Sequence, residues 1–506
     1  MSKRESLVKS EIKSACDIMR RDDGTNATSD YMEQLSWMLF LKIYEKIEEE
    51  NEDLAILEGK DYTPVIEKKY RWSNWTKKDW IGKPKESLAE FVENVDDVIE
   101  SLKNSKGEFR EHPLIYFIDA VLFPYLRNLS GTPQKEKIAE VFKEISGNKM
   151  ISVYNLLDVI QKIDHIDPSN YEDTQILSQI YEELLQQMGT EAGWGGEFYT
   201  PRPIVNFIIN VVKPKLGETI FDPFGGSAGF LVEAYKYLIE HNQPITVEKT
   251  EIIQNKTLYG QEKKPLPFLL GTMNLILHGI PNPNYFRKNT LMEDVHNVPE
   301  GEKYDVIVTN PPFGGKENKQ VQNNFPYPIS STEALALQYI MRKLKNGGRV
   351  GMVLPEGQIM FGEGKFKEIR KELLEKFNVF AIVSLPQGVF SAMGAGVKTN
   401  LVFFEKTGEP TKEIWYYELE GKFTKTQRIK DEHFEDALNK IEKREISENS
   451  WVVPIEEIIE RDYDLTAKNP NKKEEIEYKE PKEIVFEIEN IDYEIEQILK
   501  EIKNLV

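Results

Sequence analysis

Cysteine is nearly absent from this chain: in 506 residues only Cys16 carries a thiol. No internal disulfide can staple the fold, and a reducing compartment suits the lone thiol. Histidine is sparse as well, and His112, His165, His241, His278, His296 and His433 lie too far apart to offer metal-ligand spacing, so no metal is expected. No run of about 18 apolar residues occurs, and residues 1–14 are charged and lack the apolar centre of a secretory leader; the chain is expected to stay in the cytoplasm. A basic excess is also missing, since 65 Lys and Arg stand against 85 Asp and Glu for a formal charge of −20. Such a chain does not coat nucleic acid through bulk electrostatics, although a local cleft or a basic partner remains open to it. What is present is a globular composition, 40% hydrophobic and 30% charged, with length for about three domains at roughly 150 residues each.

The chain reads as a helical start, a longer α/β middle and a helical end. Over residues 29–51 Trp37, Phe40, Leu41, Tyr44 and Ile47 fall on one stripe of an amphipathic helix. Trp72, Trp75 and Trp80 follow, and their crowding predicts the packing of a small helical domain, with base stacking as the alternative use of such rings. Helical periodicity continues over 91–102 and 171–188, which places a helical N-terminal domain at 1–170. Beyond residue 188 short apolar runs (218–221, 257–259, 304–309, 349–354, 379–385 and 400–404) end in Gly, Pro or Asn and alternate with helical periodicity. This alternation predicts an α/β domain with a mostly parallel, doubly wound sheet over 171–425, whose ligands sit at the carboxyl ends of the strands. A helical C-terminal region is expected over 426–506.

Three strand ends carry the chemistry. Phe221-Asp222-Pro223-Phe224-Gly225-Gly226-Ser227-Ala228-Gly229 brings a carboxylate to a glycine-rich turn that lets the backbone approach a ligand, with a helix expected to start near Gly229. It contains neither Gly-Lys-Ser/Thr nor G-x-G-x-x-G, which argues against a P-loop nucleotide and a standard NAD. Leu258-Tyr259-Gly260-Gln261-Glu262 ends the second run in an acid, the place where a ribose diol is gripped by a carboxylate able to accept two hydrogen bonds, so an adenosine-bearing cofactor is favoured. The run 304–309 leads directly into Asn310-Pro311-Pro312-Phe313. Two prolines stiffen the backbone and leave carbonyls as fixed acceptors beside the Asn310 amide oxygen, while Phe313 supplies a flat face. Acceptors around a point next to an aromatic plate suit an exocyclic amine on a planar base, whose delocalised lone pair must be localised before it attacks.

Through these residues the chain resembles the S-adenosylmethionine-dependent amino-methyltransferases, and specifically the modification subunits of type I restriction-modification systems. Glu197-Phe198-Tyr199-Thr200-Pro201-Arg202 resembles that family's additional cofactor segment, Asp222 with Gly226, Ser227, Ala228 and Gly229 its glycine motif, and Asn310 to Phe313 its catalytic tetrapeptide. Leu385-Pro386-Gln387-Gly388-Val389-Phe390 with Val397-Lys398-Thr399-Asn400 resembles its late antiparallel hairpin. The resemblance implies a Rossmann-like methyltransferase fold, S-adenosylmethionine as cofactor and transfer of its methyl to the N6 amine of a flipped adenine in DNA. Asn310, Pro311, Pro312 and Phe313 are the implied catalytic residues. Glu197, Phe198, Tyr199, Thr200, Pro201, Arg202, Asp222, Gly226, Ser227, Ala228, Gly229, Glu262 and Asn289 are the implied cofactor contacts. Two positions depart from the pattern: Ala228 stands where Gly is frequent, and Asn289 where an Asp usually meets the adenine of the cofactor.

The last stretch bears on partners. Ile484, Ile488, Ile491, Ile495, Ile498, Ile502 and Leu505 alternate steps of four and three, a coiled-coil seam over 482–506 that needs a mate, either this chain's own N-terminal helices or another chain. The resemblance favours a specificity subunit holding two modification chains, with restriction subunits joining them. A stand-alone adenine methyltransferase, a protein-glutamine methyltransferase and a non-enzymatic scaffold are the competing readings.

Overall fold

The computed structural model describes residues 3–104, 112–167, 171–191, 199–390, 398–424 and 427–472. The docking helix expected over 482–506 lies outside the described residues, as do Glu197, Phe198 and Val397.

Helices dominate the first third. Lys3–Arg20 and the long Thr28–Glu58 bury the expected stripe, with Trp37, Leu41 and Tyr44 all inside. The three crowded tryptophans are core: Trp72, Trp75 and Trp80 are 1%, 0% and 1% exposed. Two of the indole N–H groups find acceptors inside the domain, Trp72 Nε1 donating to Asp164 Oδ1 at 2.6 Å and Trp80 Nε1 to the Trp75 carbonyl at 2.7 Å, while Trp75 Nε1 is buried without a partner among the described residues. Packing therefore uses these rings, and base stacking does not.

The α/β part carries β1 (Ile220–Asp222), β2 (Leu258–Glu262), β3 (Asn284–Arg287), β4 (Tyr304–Thr309), β5 (Leu344–Pro355), β6 (Asn378–Leu385), β7 (Thr399–Glu405), β8 (Glu413–Glu418) and β9 (Ser450–Pro454). Among the described residues they form one sheet in the order β3-β2-β1-β4-β5-β7-β6-β8-β9. β1 to β5 pair in parallel, β7 runs antiparallel between β5 and β6, and β9 runs antiparallel to β8. All six apolar runs became strands because sheets buried on both faces take continuous β-branched and aromatic stretches. In β4, Val306 and Val308 enter the core on one side of the sheet and Ile307 the core on the other. The late hairpin expected from Leu385 and Asn400 is β6–β7.

One expectation is corrected: the stretch from residue 426 is not helical throughout. β9 joins the sheet as its edge strand, because Trp451 and Val453 cover apolar surface beside β8 that would otherwise meet water. Three short strands, β3, β8 and β9, were not expected from the sequence.

The helical region and the sheet share one core. The helix Pro265–Leu277 packs against Thr28–Glu58, Pro133–Glu144 and Tyr171–Glu191. Ser178 donates to the Leu277 carbonyl at 2.9 Å, and Lys137 donates to the Tyr285 carbonyl while sitting 4.5 Å over the Phe286 ring. Strand order reverses between β1 and β4, and in such sheets the crevice opens at the carboxyl ends of those strands. Asp222 and Asn310 occur at those two ends.

Candidate active site

Asp222 ends β1 at 1% exposure. Its Oδ1 accepts from the Thr309 hydroxyl at 2.6 Å and from the Phe224 backbone N–H at 3.2 Å. Its Oδ2 is buried with no hydrogen-bond partner among the described residues. Burial pushes the carboxyl up to about 7 against these two donors, and the nearby Glu262 charge adds to the rise. A buried carboxylate oxygen without a donor is a place for a cationic ligand group.

The glycine turn is held from three sides. The Gly225 N–H donates to the Gln261 carbonyl at 2.8 Å. The Gly226 carbonyl accepts from the Tyr285 hydroxyl at 2.7 Å, and Asn274 Nδ2 donates to the Ser227 carbonyl at 2.8 Å. Tyr285 is fully buried, and a Cβ on Gly225 or Gly260 would meet its ring at 2.5 or 2.6 Å, so glycine is required for the turn and β2 to approach it. Ala228 caps the helix Gly229–His241 in the left-handed region at φ 60°. That conformation costs a residue with a Cβ about 1 kcal/mol, which is the physical meaning of the departure from glycine there.

Glu262, 8% exposed at the end of β2, folds back on this turn. Its Oε2 accepts from the Gly226 N–H at 3.0 Å and its Oε1 from the Lys264 N–H at 2.6 Å. Burial raises its pKa, and these two N–H donors oppose the rise. Asn289 is half-buried in the loop after β3. Next to it the Thr290 hydroxyl donates within 2.5 Å of the Pro223 carbonyl and 2.8 Å of Gln261 Oε1, which ties this loop to the turn.

Asn310 is 5% exposed, and its Nδ2 donates to the Thr200 hydroxyl at 3.0 Å. This bond fixes the orientation of the amide. Pro311 is buried, Pro312 and Phe313 are half-buried, and the Phe313 ring meets Phe390 edge-on at 5.9 Å between centroids. Behind the tetrapeptide Glu333 Oε1 accepts from the Gly314 N–H and its Oε2 from the Ser331 hydroxyl at 2.7 Å. The tetrapeptide is thereby tied to the start of the helix Thr332–Lys343.

Thr200, Asp222, Gly226, Ser227, Gly229 and Asn310 line one cleft. Tyr199, 4% exposed, and Pro201, the N-cap of the helix Arg202–Val212, lead into it. Arg202 is braced by Glu182, with Nη2 to Oε1 at 2.6 Å and Nε to Oε2 at 3.1 Å. Its Nη1 is buried without a partner among the described residues and lies 2.4 Å from where a Gly229 Cβ would stand. Glu262 sits one hydrogen bond behind the cleft, whereas Ala228 and Asn289 do not line it. Sequence reasoning missed Thr309, Glu182, Tyr285, Thr290 and Glu333. Thr309 was visible as the last residue before Asn310; the others act across the fold and leave no local signal.

An orphaned acid oxygen, an orphaned guanidinium nitrogen and a carboxylate behind a glycine turn together fit a zwitterionic amino-acid end joined to an adenosine, which is the chemistry of S-adenosylmethionine. Among the described residues no helix is long and apolar enough to cross a membrane, and no group of three His, Cys, Asp or Glu is placed to hold a metal.

Comparison with known proteins agrees with this chemistry. Residues 172–479 match the family described as N-6 DNA Methylase, and residues 8–122 match the HsdM N-terminal domain. The chain is similar to the type I restriction enzyme EcoEI methylase subunit of Escherichia coli, 36% identical over 99% of this chain and 97% of that one. Among solved structures it resembles a chain from work on complex assembly and conformational transition of the type I R-M system, with a TM-score of 0.78, 42% identity and coverage of 100% of this chain and 99% of that one. It also resembles a modification subunit from Vibrio vulnificus YJ016 assigned there to a type I restriction enzyme, with a TM-score of 0.76, 36% identity and coverage of 94% and 99%.

Proposed function

Because this chain belongs to the N-6 DNA methylase family and is a modification subunit of the type I kind, we propose that the cleft between Asp222 and Asn310 is where it methylates DNA. The protein is an S-adenosylmethionine-dependent methyltransferase acting on the N6 amine of adenine. Its partners are DNA, a specificity subunit that joins it to a second modification chain, and restriction subunits in the full assembly. The cytoplasm is its expected place of work.

S-adenosylmethionine, when bound, supplies an electrophilic methyl group on a sulfonium sulfur. In this reading Asp222 Oδ2 holds the cationic end of the amino-acid moiety and Arg202 Nη1 the carboxylate. Glu262 takes the ribose, and Thr200, Gly226, Ser227 and Gly229 form the walls. Tyr199 covers the methionine end, Pro201 sets the direction of the helix behind it, Ala228 starts the facing helix, and Asn289 meets the adenine of the cofactor. A target adenine must leave the duplex at a cost of about a few kcal/mol. Phe313 stacks on the flipped base, and Pro312 stiffens the turn that presents it. The Asn310 amide oxygen and the Pro311 carbonyl accept the two N6 hydrogens, which draws the nitrogen toward tetrahedral geometry and localises its lone pair. Positioning and fixed dipoles do this with no general base required before transfer, and the methylated nitrogen would then shed its extra proton to water.

The observation that carries the reading is the hydrogen bond from Asn310 Nδ2 to Thr200, which joins the proposed target end of the cleft to its cofactor end. Asn310→Ala is expected to lower the single-turnover methylation rate by several orders of magnitude while cofactor affinity, measured by equilibrium titration, stays near normal. Turnover within tenfold of the unaltered complex would remove Asn310 from the catalytic role.

A further inference from the structure

Residues 421–430, Gly-Lys-Phe-Thr-Lys-Thr-Gln-Arg-Ile-Lys, contain four basic residues and no acidic one in a chain of net charge −20. Such a local reversal is unexpected on a surface whose average sign repels phosphate.

The fold puts this segment on the catalytic edge of the sheet. β8 runs parallel to β6, and β6 has the direction of β5 because β7 runs antiparallel to both. The chain therefore leaves β8 on the same edge at which β4 delivers Asn310. Both flanks are pinned there. The Leu419 N–H donates to the Ser384 carbonyl at 2.9 Å. Beyond the segment, Asn206 Nδ2 donates to Asp431 Oδ1 at 3.0 Å, and Phe207 stacks on Phe434 at 4.7 Å. Asn206 and Phe207 belong to the helix Arg202–Val212 that starts at the cofactor end of the cleft.

Within the segment Phe423 and Ile429 are buried as anchors, while Lys422, Arg428 and Lys430 are exposed. Gly421, Lys422, Phe423 and Thr424 face Pro386, Gln387 and Gly388 across an open cleft of about 660 Å³. That opposite wall continues directly into Phe390, whose ring meets Phe313. At the other end Arg428 is near enough to Tyr199 for its charge to act on the phenol: burial raises the Tyr199 pKa, and Arg202 and Arg428 oppose the rise. Lys422 thus stands at the hairpin wall that leads to Phe313, and Arg428 beside Tyr199 of the cofactor wall.

We propose that Lys422 and Arg428 form a phosphate-binding rim that grips the DNA backbone next to the flipped adenine. Flipping pulls a nucleotide out of the stack and leaves its flanking phosphates at the mouth of the pocket, where fixed cations on anchored backbone replace released counterions. Phosphate contacts of this kind position the duplex without reading its sequence. The inference rests on the adenine-methylation reading above.

The test uses the complex with the specificity subunit and a duplex carrying its target. Lys422→Ala/Arg428→Ala is expected to lower the slope of log K against log salt by about 2 in magnitude and to weaken duplex binding roughly tenfold at low salt. Cofactor affinity and the single-turnover rate at saturating DNA should stay unchanged, and Lys422→Arg/Arg428→Lys should restore the slope. An unaltered slope in a complex that methylates adenine normally overturns the rim. So does loss of co-purification with the specificity subunit at unchanged DNA affinity, which would make the segment a contact for an acidic protein surface. Failure of the unaltered complex to methylate adenine at all would instead overturn the adenine reading.

Discussion

At the scale of single residues, Asp222 has the clearest consequence. Its carboxyl sits near pKa 7 because burial penalises the charge and, among the described residues, only Thr309 and the Phe224 N–H support it. A folded-state pKa raised above the unfolded value of about 3.9 means that the protonated form is favoured in the free chain. Stability from this group is then fully present below pH ~4 and is lost as pH rises through about 7. A cationic ligand group on Oδ2 reverses that preference. Cofactor affinity, followed by calorimetry between pH 5.5 and 7.5, is therefore expected to rise with pH by up to about tenfold per unit below the pKa and to level off above it. Asp222→Asn should give weak binding without the pH trend. A steep trend surviving that substitution would place the titrating group elsewhere. Thr309 shares in this behaviour, because its hydroxyl is the one side-chain donor on the acid among the described residues.

At the scale of elements, the site is a set of strand ends held at fixed distances by side chains that stand behind the cleft lining. Tyr285 on β3 shows how this works. Its ring fills the space opened by Gly225 and Gly260, and its hydroxyl satisfies the buried Gly226 carbonyl. Tyr285→Phe keeps the ring and removes the donor, leaving that carbonyl unpaired at a cost of about 1–3 kcal/mol. The expected result is a lower unfolding midpoint in denaturant together with weaker cofactor binding, since the Gly226 N–H on the same turn holds Glu262. A fall in stability with unchanged cofactor affinity would show that β3 supports the sheet without shaping the turn. Glu182 plays a similar part from the helix Tyr171–Glu191, bringing Arg202 under the start of the helix Gly229–His241. His278 packs within 3.6 Å of the same acid, its pKa held near 4 chiefly by burial, so it stays neutral at physiological pH.

At the scale of the whole molecule, the charge of −20 sets the terms of DNA binding. Residues 471–506 alone hold six lysines against eleven acidic residues, a balance of −5, so the C-terminal stretch repels phosphate and is suited to protein contact. The isolated chain is expected to bind cofactor but to hold duplex DNA weakly and without sequence preference at physiological salt. Adding the specificity subunit should tighten binding to its own site by about 4–10 kcal/mol over the chain's non-specific binding. A titration of labelled duplex at two salt concentrations, with and without that subunit, decides the matter. Tight site-specific binding by the chain alone would favour a self-sufficient methyltransferase.

The sequence alone determined the class of fold and the chemistry of the site, because both are written in short-range pattern. Apolar runs closed by Gly, Pro or Asn dictate strand ends, and a residue type at a strand end, such as Asp222, Glu262 or Asn310, dictates what that end can hold. The crowded Trp72, Trp75 and Trp80 were legible as core for the same reason: large rings near one another in the chain bury together. Only the tertiary structure decided what depends on residues far apart in the chain. It put β9 on the edge of the sheet within a stretch that reads as helical, because cross-strand partners outweigh local propensity in a five-residue element. It set the Asn310 amide against Thr200, 110 residues away, and Arg202 against Glu182. It also brought the chain out of β8 at the edge of the sheet where β4 delivers Asn310, since the direction of β8 relative to β6 is fixed by hydrogen-bond pairing and leaves no trace in the order of the residues.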